Sequence, residues 1–178
     1  MAAGNSLKFG TSGLRGLAVE LEGQAARQYT AAFLRHLDLT DKAKIGQVFL
    51  GHDFRPSSRA ILQDCAVAIR HAGLEAVDCG ALPTPALALH AMAQGGAAIM
   101  ITGSHIPADR NGLKFYSPNG EIGKADEKGI ADCLDPQSIP DIEVVPTHQA
   151  NQASERYFER FASFLPEKAL TGKRIGVF

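Results

Sequence analysis

A serine, a histidine and a lysine stand close together in Thr102-Gly-Ser-His-Ile-Pro-Ala-Asp-Arg-Asn-Gly-Leu-Lys-Phe-Tyr116. An apolar run ends at Thr102, and Gly103 permits tight backbone geometry. Ser104 is thereby left at the carboxyl end of a strand, the edge where ligands of open α/β sheets collect. His105 follows directly. The Asn111-Gly112 pair predicts a tight turn that returns the next strand. On that strand Leu113 and Phe115 share one face, Lys114 and Tyr116 the other. Lys114 then points toward Ser104, within reach of a hydrogen bond or one bridging water. A hydroxyl, an imidazole and an ammonium converging in an uncharged pocket suit a serine that carries and transfers a phosphoryl group. The competing reading is a polar loop with a surface lysine. A serine hydrolase is the weaker option, because Gly-x-Ser-x-Gly is absent.

Two further segments carry polar chemistry. Phe9-Gly-Thr-Ser-Gly-Leu-Arg-Gly16 offers backbone N–H groups and the hydroxyls of Thr11 and Ser12. Its Arg15 supplies a planar fork that matches phosphate. It is not a Walker loop, since no Gly-Lys-Ser/Thr follows, and a turn with a surface arginine competes with the phosphate reading. In Gly51-His-Asp-Phe-Arg-Pro-Ser-Ser58, Asp53 and Arg55 could brace one another and the first loop. A turn with a serine helix cap is the plainer alternative. No set of histidines and cysteines has metal-ligand spacing.

The elements that must position these groups alternate. Gly23–Leu39 has a helical apolar stripe, Gln47–Gly51 reads as a strand, and Ser57 or Ser58 caps a helix that ends at Gly73. Leu74–Cys79 and Ala97–Thr102 read as strands on either side of a helix over 84–94. Leu113–Tyr116 is a further strand and Gly123–Leu134 a helix. The expected fold is α/β: a three-layer domain whose mixed, mainly parallel sheet is flanked by helices. Between Asp78 and Asp109 no Asp, Glu, Lys or Arg occurs, as expected of a centre covered on both faces. Pro83, Pro85 and Gly95-Gly96 break that stretch too often for a membrane span.

With 178 residues, 45% hydrophobic and 21% charged, the chain has the composition of a folded globular protein. A net charge of −1 removes the broad basic footprint of a nucleic-acid binder or a membrane-surface protein. Cys65, Cys79 and Cys133 are odd in number and lack a Cys-x-x-Cys pair, arguing for thiols in a reducing compartment. The N-terminus lacks the layout of a signal peptide, so a cytoplasmic protein is expected. Prolines 136, 140 and 146 punctuate a polar segment before a helix over 153–165. Lys173–Phe178 begins like a buried strand. The predicted division is a domain over 1–150, then a linker helix and the first strand of a truncated second domain over 151–178.

Together, in order and spacing, the motifs resemble the first domain of the α-D-phosphohexomutase superfamily: phosphomannomutases, phosphoglucomutases and phosphoglucosamine mutases. The serine loop of that family, Thr-x-Ser-His-Asn-Pro followed by Asn-Gly-x-Lys, is matched by Thr102–Pro107 and Asn111–Lys114. Its arginine loop is matched by Thr11–Gly16 and its Gly-x-Asp-x-Arg segment by Gly51–Arg55. One departure is Ile106, where the family usually has Asn.

The resemblance implies that Ser104 is a phosphoserine that donates to a hexose phosphate and is rephosphorylated by the bisphosphorylated sugar. It implies catalytic roles for Lys114 and His105, and phosphate or substrate binding by Arg15, Ser12, Thr11 and Asn111. It also implies Mg²⁺ held through the Ser104 phosphate together with ligands from a later domain, and a hexose 1,6-bisphosphate activator. The partners implied are a hexose phosphate and the remaining domains of one polypeptide, with no nucleic acid and no membrane. Phosphomannomutase, or phosphomannomutase/phosphoglucomutase, is preferred to phosphoglucosamine mutase, and residues 1–178 alone are expected to be inactive. A non-catalytic phosphate-binding module and a serine phosphatase or esterase are the other classes considered.

Overall fold

A computed structural model describes residues 6–10, 13–40, 45–148 and 150–177. Its elements in chain order are β1 (Lys8–Phe9), β2 (Leu14–Leu17), α1 (Ala18–Leu21), α2 (Gln24–Thr40), β3 (Gln47–His52), α3 (Ser58–His71) and β4 (Glu75–Ala81). There follow α4 (Thr84–Ala93), β5 (Ala97–Ile101), β6 (Arg110–Ser117), β7 (Gly120–Glu121), α5 (Lys124–Asp132), β8 (Thr147–His148) and α6 (Ala150–Ala162).

The strands form one mixed sheet in the order β1-β2-β6-β5-β3-β4-β8, with β7 added beside β6. β5, β3, β4 and β8 run parallel. β6, β2 and β1 continue the sheet antiparallel. Every residue of β5 is buried, which is why Ala97–Ile101 is an unbroken apolar run: both of its faces are covered.

Alternation along the strands divides the core. Val48, Leu50, Ile99, Ile101, Leu113 and Phe115 pack with Phe33 of α2, Ile61 and Ile69 of α3, and Ile130 of α5. Phe49, Val77, Met100 and Tyr116 point to the other face, under Leu87 of α4 and Ala153 of α6. The three-layer α/β architecture expected from the alternating periodicities is therefore present.

Two local expectations give way. Asn111-Gly112 is not a turn. Both residues lie within β6, where Gly112 pairs with Arg15 and Asn111 with Gly16. Pairing with β2 overrides the local turn preference, and the chain reverses earlier, over residues 103–109. Neither Ser57 nor Ser58 caps α3 with its side chain, because both hydroxyls are engaged at the site described below.

The proline-rich stretch is fastened by reciprocal bonds. The amide of Gln24 donates to the Ile139 carbonyl at 2.8 Å, and the Ile139 N–H donates back to the Gln24 side chain at 2.9 Å. The helix in the segment read as a linker, α6, packs on α4 and β4, with Ala153 wholly buried. Residues 173–177 form no strand; they are exposed and pair with no described strand.

Phe115 stands at the centre of the larger core, its ring 4.8 Å from Phe33 and 6.4 Å from Phe9. Phe115→Ala is expected to cost about 3–5 kcal/mol. That cost should appear as a large fall in the urea midpoint with little change in slope. Phe158→Ala, at an exposed position, should stay within about 0.5 kcal/mol.

Candidate functional site

The serine loop leaves β5 and must return as β6, and its polar backbone is satisfied mainly by two side chains from the end of β3. The Asp53 N–H bonds the Ile101 carbonyl at 3.0 Å, setting the Asp53 segment beside the end of β5. One carboxylate oxygen of Asp53 accepts from the Arg55 N–H at 3.0 Å and the Ser58 hydroxyl at 2.6 Å. The other accepts from the Thr102 hydroxyl at 2.9 Å and the Gly103 N–H at 3.0 Å. Thr102 Oγ1 in turn accepts from the Ser104 N–H at 2.9 Å. A carboxylate, a hydroxyl and an amide thus run in series to the backbone of the serine.

Arg55 holds the other half of the loop. Its guanidinium donates to the carbonyls of Pro107 and Ile106, each at 2.6 Å, of Arg110 at 3.1 Å and of Ser104 at 3.4 Å. Its Nε lies 3.4 Å from the Asp53 carboxylate. Gly103 is required by this packing, since a Cβ there would fall 2.1 Å from Arg55 Nε. Asp53 and Arg55 therefore brace one another and the serine loop; among the described residues neither bonds the arginine loop, whose Thr11 and Ser12 lie outside them. Ile106 contributes through its backbone, its N–H closing a turn on the Gly103 carbonyl at 3.0 Å.

Ser104 is held with φ at +49°, a left-handed conformation that costs a serine roughly 1–2 kcal/mol and persists only where its surroundings impose it. Its side chain is exposed, with Oγ 3.2 Å from His105 Nδ1. Burial pushes the Asp53 carboxyl upward. The hydrogen bonds from Ser58, the Arg55 N–H, Thr102 and Gly103 outweigh that and hold it below the ordinary aspartate range.

The remaining candidate residues divide. Arg15 lies opposite Gly112 in the β2–β6 register. It shares the face of Lys114, because Leu14, Leu113 and Phe115 are all turned into the core on the other side. Gly112 leaves room for the arginine stem, as a Cβ there would meet Arg15 Cγ at 3.1 Å and the Leu14 carbonyl at 2.6 Å. Lys114 makes no hydrogen bond or ion pair with a described residue, and no direct bond joins it to Ser104.

Asn111 departs from expectation. It is fully buried, its amide donates to the hydroxyls of Ser57 and Ser58 at 2.9 Å each, and its carbonyl accepts from the Gly112 N–H. No polar group of Asn111 is left for a phosphate; it ties β6 to the start of α3. Thr11 and Ser12 lie outside the described residues. Sequence reasoning missed the four-carbonyl role of Arg55, which only its spacing two residues after Asp53 hinted at.

Asp53→Asn, nearly isosteric, places an amide against donors that need an acceptor. It should cost about 1–3 kcal/mol and speed hydrogen exchange at the Gly103 and Ser104 amides ahead of the β5 amides. Because the native carboxyl is depressed, its contribution is complete above the ordinary aspartate value. It is lost as pH falls below about 4 and passes the depressed value. Exchange at those two amides, corrected for intrinsic pH dependence, should rise in that window in the wild type and stay flat in Asp53→Asn.

The chain matches the model of a known family, "Phosphoglucomutase/phosphomannomutase, alpha/beta/alpha domain I", over residues 6–138. It is 46% identical to a phosphomannomutase of Sinorhizobium fredii NGR234, over 96% of this chain and 37% of that protein. It is 40% identical to a phosphomannomutase of Salmonella muenchen, over 98% of this chain and 36% of that one. A crystal structure from Thermus thermophilus, of a protein assigned as a phosphomannomutase, superposes with a TM-score of 0.71 at 29% identity, covering 97% of this chain and 38% of its own. The chain thus spans little more than a third of the length of these relatives. With its braced serine loop, its paired Arg15 strand and a match over most of its residues, the chain belongs to the phosphoglucomutase/phosphomannomutase family, as its alpha/beta/alpha domain I.

Proposed function

We propose that residues 1–178 are the phosphoserine-bearing domain of a phosphohexomutase, a phosphomannomutase or phosphomannomutase/phosphoglucomutase of the cytoplasm. The observation that carries this reading is Ser104 itself: an exposed hydroxyl on a strained, fully braced backbone, beside an imidazole and next to a sheet face bearing Arg15 and Lys114. A nucleophile that is phosphorylated and dephosphorylated each cycle must keep its position when its charge changes, and the Asp53–Arg55 brace supplies that constancy.

In the proposed reaction a hydroxyl of the hexose phosphate attacks phosphorus. The bond from phosphorus to Ser104 Oγ breaks as the bond to the sugar oxygen forms, and the hydroxyl proton passes to a base. The bisphosphorylated sugar then reorients and returns its other phosphoryl group to Ser104. His105, 3.2 Å from Oγ, is placed to exchange the proton of the serine oxygen. Lys114 and Arg15 neutralise phosphoryl charge, which is most of what catalysis of this transfer demands. Thr11 and Ser12 complete the phosphate contacts in this reading, and Asn111 acts through position alone.

Mg²⁺ belongs to the same proposal, but these residues do not make its site. Among the described residues no three His, Cys, Asp or Glu side chains lie close enough to hold a metal ion. This chain would contribute only a phosphoryl oxygen on Ser104. Among the described residues no helix is long and apolar enough to cross a membrane. The thiols of Cys65 and Cys79 are pushed up to about 12 by burial, which leaves them inert and without a part in the reaction.

The test is turnover of mannose 1-phosphate, glucose 1-phosphate and glucosamine 1-phosphate by the full-length protein, with Mg²⁺ and the matching hexose 1,6-bisphosphate. Ser104→Ala should lower the rate by on the order of 10³-fold or more, and residues 1–178 alone should not turn over. Phosphorylation of Ser104 should be visible by mass spectrometry after incubation with the bisphosphate. Full activity of Ser104→Ala, or robust turnover by residues 1–178, would overturn the proposal.

A further inference from the structure

Two hydroxyls stand between the Asp53 carboxylate and the two halves of the site. On one side the Ser104 N–H donates to Thr102 Oγ1 at 2.9 Å, and the Thr102 hydroxyl donates to Asp53 at 2.9 Å. On the other the Asn111 amide donates to Ser58 Oγ at 2.9 Å, and the Ser58 hydroxyl donates to the second Asp53 oxygen at 2.6 Å. Each hydroxyl spends its one proton on the carboxylate and accepts from the donor behind it. The first arm ends on the backbone of the serine. The second ends on β6, where Asn111 lies opposite Gly16 and its neighbour Gly112 opposite Arg15. Lys114 follows on the same strand.

Ser58 is fixed where this link requires it. The residue is fully buried, and its own N–H closes a turn on the Arg55 carbonyl at 3.0 Å. Burial raises the Asp53 carboxyl, and among the hydrogen bonds that outweigh burial the one from Ser58 leads. A charged acceptor strengthens such a bond and makes the donating oxygen a better acceptor in its turn. Ser57 is the natural comparison. Its hydroxyl accepts from the same Asn111 amide at 2.9 Å, yet among the described residues it makes no bond to Asp53. Of the two serines, only Ser58 joins Asn111 to the carboxylate that orders the serine loop.

We propose that Ser58 is a positioning residue for phosphoryl transfer: it fixes β6, and with it Lys114 and the paired Arg15, in place relative to Ser104. This rests on the phosphohexomutase reading. Transfer to and from a serine is fast only while the reacting groups stay aligned and the phosphoryl charge stays neutralised. The sheet ladder holds β6 to β5 and β2, and the Asp53–Arg55 brace holds the loop. Ser58 joins ladder to brace, so strand and loop keep one geometry as charge on the serine comes and goes.

The experiment compares Ser58→Ala and Ser57→Ala in the full-length protein. The nearly isosteric Ser58→Cys, whose thiol is a weak hydrogen-bonding group, gives the same readouts where Ser58→Ala fails to fold. Amide hydrogen exchange comes first, since it needs no turnover. Ser58→Ala should speed exchange at Ser104 in the serine loop and at Gly112 on β6 together, and Ser57→Ala should leave Ser104 unchanged. In turnover of mannose 1-phosphate or glucose 1-phosphate, Ser58→Ala should lower kcat about tenfold with KM within about twofold, the pattern of misplacement without lost binding. In an Asp53→Asn background the same change should lower kcat less than about twofold further, because the carboxylate that joins the arms is already gone. Exchange altered at Gly112 but not at Ser104, an equal effect of Ser57→Ala, a rise in KM with kcat kept, or losses that multiply independently would each overturn the proposal. Coupled exchange in a protein without mutase turnover would uphold the Ser58 link and count against the reaction alone. An active mutase whose exchange is uncoupled would count against Ser58 alone.

Discussion

A guanidinium aimed at four carbonyls is the interaction on which the rest of the site depends. A loop that leaves one strand and returns as its neighbour exposes backbone acceptors that no sheet ladder satisfies, and ordering it costs conformational entropy at every residue. Arg55 meets those acceptors with a rigid fork of donors that always carries charge. Asp53 beneath it neutralises that charge and collects the donors of Thr102 and Gly103. Breaking either partner would strand the other, which is why the two act as one part. The left-handed backbone of Ser104 follows from this brace, not from any preference of serine.

The change of strand direction explains where the site opens. A parallel connection needs a crossover, usually a helix that then covers the sheet, and β5, β3 and β4 are covered in that way. β5 and β6 run antiparallel, so a loop joins them and no helix is delivered to the face beyond. Among the described residues Arg15 of β2 and Lys114 of β6 are accordingly only half-buried beside the serine loop. Polar and charged residues can stand there without the desolvation cost they would meet under α4.

Much of this was legible in the sequence. The helices α2, α3, α4 and α5 and the strands β3, β4 and β5 follow periodicity and breaker residues, because each is long enough for its buried face to repeat. The assignment of Lys114 to the face opposite Leu113 and Phe115 needed only alternation. The errors share one cause, dependence on distant partners. Asn111-Gly112 has the local chemistry of a turn, yet pairing with Arg15 and Gly16 makes it strand, and the amide of Asn111 is taken up by Ser57 and Ser58. The same two hydroxyls read as helix caps from sequence and serve Asn111 and Asp53 instead. The carbonyl partners of Arg55 have no sequence signature, since every residue carries a carbonyl.

That last point bears on how this site can change over generations. Arg55 reads Ser104, Ile106, Pro107 and Arg110 by backbone oxygen, so it is blind to their side chains. An isoleucine at 106 is therefore compatible with an intact clamp. What the clamp does register is count. One inserted or deleted residue between Gly103 and Arg110 would move every later carbonyl off its donor and shift the strand that carries Lys114 by one place, turning its side chain to the other face. A change of letter at position 106 is thus tolerated where a change of loop length is not.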